Sequence, residues 1–100
     1  MADYCYVKVH RQGEDVLVAV CDEELLDKKI NVSTLVIHVS KEFYGGERIP
    51  IKMIWDFMKD ATIVNAIGNA VVSELAERIP AVHYAAVNLG GIPHVQLLLK

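Results

Sequence analysis

The chain has 100 residues, which is one domain with one core. Apolar residues supply 53% and charged residues 23%, which suits a folded globular protein and excludes a disordered one. The net charge of −3 excludes attachment to nucleic acid by bulk charge alone, and two cysteines exclude a disulfide-rich scaffold or a four-thiolate zinc site.

In chain order, Cys5–His10 and Val16–Cys21 are rich in strand formers and read as a β-hairpin around Arg11-Gln-Gly-Glu-Asp15. A three-residue loop, Gln12-Gly13-Glu14, collects the apolar residues on one face. It pairs Arg11 with Asp15, Val9 with Leu17, Val7 with Ala19 and Cys5 with Cys21. Asp22 to Lys29, acidic at its start and basic at its end, predicts a short helix. Leu35–Val39 is the third expected strand, and Phe43-Tyr44-Gly45-Gly46 breaks the chain. Pro50 suits the first turn of a helix reaching about Ala61, with Ile51, Ile54, Trp55 and Met58 as its apolar stripe.

A second helix is expected from about Ala66 to Ile79, capped by Asn65 or Thr62, striped by Ile67, Val71, Leu75 and Ile79, and closed by Pro80. Strands at Tyr84–Leu89 and His94–Leu99 follow, joined by Gly90-Gly91-Ile92-Pro93. The sum is a single α+β domain spanning residues 1–100. Its N-terminal hairpin lies in a mixed sheet of about five strands, with two main helices and one short helix packed on it. From Ile79 to Leu99 no side chain is charged, and polar residues interrupt the run too often for a membrane span, so it is expected in the core or against a second chain. No basic segment followed by an apolar stretch opens the chain, so no signal peptide is expected.

Chemistry-bearing patterns are sparse. His10, His38, His83 and His94 form no metal motif, no serine sits in a nucleophile elbow, and Cys21 is followed by Asp22-Glu23-Glu24, which raises a thiol pKa. No catalytic residue, metal or cofactor is therefore assigned. In the three-residue register Cys5 and Cys21 are neighbours within disulfide reach, although two small buried thiols are the expected outcome. Two sets of residues are candidate sites. Asn65, Gly68, Gly90, Gly91 and His94 lie at glycine-rich element ends, where a helix N-terminus would hold an anion and His94 would act as general acid or base. Tyr6, Lys8, His10 and Arg11, with Phe43 and Tyr44, form an aromatic and basic surface suited to RNA or to a protein partner.

Five phrases, Tyr6-Val-Lys-Val-His-Arg-Gln-Gly-Glu14, Val18-Ala-Val-Cys-Asp-Glu-Glu-Leu-Leu26, Glu42-Phe-Tyr-Gly-Gly46, Ala61-Thr-Ile-Val-Asn-Ala-Ile-Gly68 and Gly90-Gly-Ile-Pro-His-Val-Gln96, together resemble one family over nearly the whole chain. It is the archaeal family known as domain of unknown function four hundred and twenty-four. The resemblance implies an archaeal cytoplasmic protein associated with translation genes, and it carries over no catalytic residues. It also points to Cys21-Asp22, Phe43 to Gly46, Asn65, Gly68, Gly90-Gly91 and His94 as ends that would converge on one cleft. The leading expectation is a non-enzymatic, translation-associated module that contacts RNA or a ribosomal or factor surface. The alternatives are a small-molecule or nucleotide-binding enzyme at the Asn65 and Gly90-Gly91 site, and a structural subunit that forms a homodimer through its charge-poor C-terminal half. No membrane partner is expected.

Overall fold

The computed structural model describes residues 3–99; Met1, Ala2 and Lys100, which the single-domain reading includes, lie outside the described residues. Six strands form one mixed sheet: β1 (Tyr4–Gln12), β2 (Asp15–Asp22), β5 (Glu47–Pro50), β6 (Ile63–Ile67), β7 (Val87–Leu89) and β8 (Ile92–Leu98). Their order across the sheet is β5-β1-β2-β6-β8-β7, and all pairings are antiparallel except β2 with β6. A separate two-stranded ribbon pairs β3 (Lys29–Val32) with β4 (Leu35–His38). The helices are short: α1 (Lys41–Tyr44), α2 (Ile54–Phe57), α3 (Asn69–Ala76) and α4 (Val82–Ala85), with single 3-10 turns at Glu23–Leu25 and Ile51–Met53. The α+β class with a mixed sheet is as the sequence implies, with six strands where about five are expected.

The hairpin forms in a different register from the expected one. Gln12 pairs with Asp15, so the loop is the two-residue turn Gly13-Glu14, and Gly13 takes the positive φ (60°) that such a turn places at its first central residue. Every cross-strand pair moves by one: Val7 faces Val20, Val9 faces Val18, Cys5 faces Asp22 and Tyr6 faces Cys21. The one-sided apolar pattern that favours three residues does not apply, because β2 is a central strand covered on both faces. Val18 and Val20 join the core on one side, and Ala19 and Cys21 join it on the other. Cys5 and Cys21 therefore lie on opposite faces of the sheet, both buried and both free thiols.

The first face carries the larger core. Val7, Val18, Val20, Val64, Ala66 and Val95 meet Ile54, Val71, Leu75 and Val82 from the helical side. The second face carries a smaller core of Ala19, Cys21 and Ile67 against Ile30 of the ribbon, Val39 and Tyr44 of α1. α1 itself starts at Ser40, whose hydroxyl accepts from the Phe43 N–H at 3.2 Å.

Four local readings change, one of them at Tyr84–Leu89, where Tyr84 and Ala85 belong to α4 and only Val87–Leu89 is strand. The expected helix from Ala66 begins three residues later, because Ile63–Ile67 is a buried strand lying parallel to β2. Asn65 is accordingly a mid-strand residue and not a helix cap. The helix expected from Pro50 is a 3-10 turn followed by the single turn of α2. Of the helix expected at Asp22 to Lys29 only the 3-10 turn forms, and Lys29 already belongs to β3.

Candidate functional site

Strand alternation puts Tyr6, Lys8, His10, Leu17, Asn65, His94, Gln96 and Leu98 on the second face. At its centre the buried Asn65 joins three elements. The Tyr44 hydroxyl donates to Asn65 Oδ1 at 2.5 Å, and Asn65 Nδ2 donates to Gln96 Oε1 at 2.7 Å. His94 Nε2 lies 3.2 Å from the same Oδ1, so this nitrogen carries the proton and donates. Burial lowers the His94 pKa below its ordinary value and raises that of Tyr44, so near neutral pH the cluster is an uncharged hydrogen-bonded network. Of the first candidate set, Asn65 and His94 thus come together, and Tyr44 of the second set joins them. Gln96 completes the cluster. It was not singled out in the sequence, although its place one alternation from His94 on β8 was the available signal.

Gly68 faces a different neighbour. It stands at the N-terminal cap of α3 with φ 125°, and a Cβ there would run into the Asp22 side chain. The Asp22 carboxylate accepts from the Ala70 N–H at 3.0 Å and the Val71 N–H at 2.9 Å. The anion expected at this helix start is therefore the chain's own, delivered from the end of β2. Burial is the largest influence on Asp22 and raises its pKa against those two hydrogen bonds. Gly90 and Gly91 close the β7–β8 turn at φ 60° and 90°, where the Gly91 N–H donates to Asn88 Oδ1 at 2.6 Å. A Cβ on Gly90 would meet the Asn31 carbonyl at 2.5 Å, so this turn packs on the ribbon.

The second candidate set is also divided. The Lys8 ammonium donates to the Glu42 carbonyl at 2.7 Å, and His10 Nε2 donates to the Phe43 carbonyl at 2.8 Å. Both side chains hold the end of α1 on β1, as cationic and N–H groups do at helix C-termini. The His10 ring stacks on Phe43 with centroids 5.0 Å apart, and Phe43 meets Tyr44 edge to face at 4.8 Å. Tyr6 is half-buried beside them. Arg11 alternates to the opposite face, so it does not belong to this surface.

Beyond Phe43 the second face is open. A recess of about 310 Å³ lies between His10, Gln12, Asp15, Leu17, Phe43 and Ile63. Across β6 the row continues to Leu98, which pairs with Ile63 and is 77% exposed. The thiols take no part: burial pushes both Cys5 and Cys21 up to about 12, so they stay protonated near neutral pH. Among the described residues no three histidine, cysteine or acidic side chains are grouped to hold a metal ion. No helix among them is long and apolar enough to cross a membrane.

Comparison with known proteins is consistent with this architecture. A crystal structure of an uncharacterized conserved protein from Methanopyrus kandleri superposes with a TM-score of 0.80 at 27% identity, covering 97% of this chain and 94% of that one. No match is found among curated proteins. The family model described as "Protein of unknown function (DUF424)" matches residues 9–99, and the chain belongs to that family.

Proposed function

We propose that the chain is a non-catalytic, translation-associated binding module that docks a protein surface on the open half of its second sheet face. The observation that carries the reading is the uneven covering of that face. The ribbon and α1 bury Ala19, Cys21 and Ile67, whereas Leu17 and Ile63 are half-exposed and Leu98 is open around the recess under Phe43. An apolar strip rimmed by Gln12, Asp15 and Gln96 has the composition of a small protein contact. The polar groups that would drive an enzyme reading are engaged internally: Asn65 and His94 with Tyr44 and Gln96, and Asp22 with α3. RNA is the less favoured ligand, because Lys8 and His10 are spent on α1 carbonyls and the chain carries −3 overall.

The test is affinity capture from archaeal extract, with and without ribonuclease, using the wild type and Leu17→Lys. Recovery of a ribosomal protein or translation factor that resists ribonuclease and is lost with Leu17→Lys supports the reading. Capture abolished by ribonuclease overturns it in favour of RNA. Equal capture by both proteins moves the contact off this face.

A further inference from the structure

The side of the sheet that carries the larger core has a cleft of its own. It measures about 520 Å³ and lies between α2 and the segment that follows α3. Met58, Ala61, Ile79 and Leu99 give it an apolar lining, and all four belong to the larger core or pack on it. Asp56, Lys59 and Arg78 also line it, and all three are exposed. An apolar lining with a few polar groups in ~300–1,000 Å³ is the composition of a small-molecule site.

The cleft is built around Trp55. The indole Nε1–H donates to Glu74 Oε2 at 2.8 Å, and Lys52 Nζ donates to Oε1 of the same carboxylate at 3.4 Å. Glu74 is only 8% exposed, and a buried carboxylate is costly unless such donors offset it. Here they fix the indole ring by its edge. Arg78 lies one helical turn beyond Glu74, yet its guanidinium does not pair with that carboxylate. It lies over the indole instead, with Cζ 4.6 Å from the ring centroid. Among the described residues Arg78, Lys59 and Asp56 have no ion-pair partner.

We infer that this cleft binds a small monoanionic organic acid, a carboxylate carried on an aromatic or branched aliphatic body. The N–H edge of Arg78 is a fork that fits a carboxylate through two parallel hydrogen bonds, and Lys59 adds a second positive charge. The apolar lining takes the body of the ligand. A guanidinium already held against a ring has less freedom to lose on binding. Asp56 sets the ligand's charge. Two cations and one acid leave a single positive charge in excess, which favours a monoanion over a phosphate dianion. Asp60 and Glu77, next to Lys59 and Arg78 in sequence, do not line the cleft. The site stands apart from the docking reading, since it shares no residue with the recess under Phe43.

Trp55 is the single tryptophan, so its fluorescence reports on the cleft directly. The full chain is titrated with phenylacetate and isocaproate, with phenylacetamide as the neutral control and adenosine monophosphate as the dianion. At least one acid is expected to change the emission saturably, half-saturating at or below about 1 mM, and to shift the amide resonances of Ile79 and Leu99. The amide and the nucleotide are expected to bind about ten-fold more weakly or worse. Arg78→Gln should weaken acid binding by about ten-fold while keeping the wild-type circular dichroism spectrum. Lys41→Gln, the same charge change on α1 across the sheet, should leave acid binding unaltered. No saturable change with either acid up to about 10 mM overturns the inference. Equal binding of the amide, tighter binding of the nucleotide, or full affinity in Arg78→Gln overturns it too. Leu17→Lys should keep acid binding and Arg78→Gln should keep protein capture, so the failure of either proposal is distinguishable from that of the other.

Discussion

Replacing Asp22 by alanine deprives the start of α3 of both acceptors that hold it. The Ala70 and Val71 N–H groups lose their partners, and at Val71 the bond lies in the buried interior, where water does not replace it. Loss of a helix cap costs about 1 kcal/mol, and a buried donor left unpaired costs about 1–3 kcal/mol more. The substitution also removes a buried carboxylate whose burial raises its pKa, which returns part of that cost. A net loss of about 2 kcal/mol is expected, against a total stability of ~5–15 kcal/mol for a domain of this kind. The thermal midpoint should fall by about 10 °C. Urea unfolding followed by the fluorescence of Trp55, the single tryptophan, measures it directly. Asp22→Asn keeps one acceptor oxygen and should lose about half as much. The pH dependence has a definite sign. Because the folded-state pKa of Asp22 lies above 3.8, its contribution is largest below that value and declines as pH rises through the raised pKa. Asp22→Asn should therefore flatten this part of the stability profile. If Asp22→Ala unfolds within about 0.5 kcal/mol of the wild type, the carboxylate is not the cap and the argument fails.

Gly68→Ala should cost about 2 kcal/mol or more, since a side chain at φ 125° meets the Asp22 carboxylate; an unchanged urea midpoint would contradict this. Tyr44→Phe removes one of two donors to Asn65 Oδ1 and should cost about 1 kcal/mol, read from the same transition. Both thiols should resist alkylating reagents at mildly alkaline pH in the native protein and react together on unfolding; rapid native labelling of either would show that it is exposed. The His94 ring should titrate below 6.5 in an NMR pH series, and its contribution to stability, present above that value, should decline as pH falls through the lowered pKa.

Several elements were readable because one principle acted alone. The hairpin strands follow from strand propensity and the break at Gly45-Gly46 from glycine punctuation, although Phe43 and Tyr44 end α1; His94–Leu99 falls largely within β8, and of Tyr84–Leu89 only Val87–Leu89 is strand. Errors arose where tertiary burial overrides local pattern. Ile63-Val-Asn-Ala-Ile67 is a short apolar run that periodicity cannot assign, and its pairing partner lies on β2, far away in sequence. A strand, then Gly68, then helix α3 was the available signal, which the helical stripe obscured. The site shows the same division. Asn65 and His94 are readable as polar residues within apolar runs, but Asn65 lies in the middle of β6 and not at an element end, and their meeting with Tyr44 and Gln96 depends on strand order across β6 and β8. Asp22 read as the first residue of a helix, whereas it caps another helix from the end of a neighbouring strand.

The parallel pairing of β2 with β6 also sets the order in which the chain can mature. β2 is complete at Asp22, yet its second neighbour begins only at Ile63, after the ribbon, α1, β5 and α2 have been made. Closing a loop of that length costs entropy before any contact rewards it. Until then the hairpin carries apolar residues on both faces and one unpaired edge. A nascent chain that stops short of Ile67 has no partner for that edge and no α3 to cover Val18 and Val20. Folding on the ribosome is thus expected to wait for the last third of the chain, and fragments ending before β6 should be the aggregation-prone species.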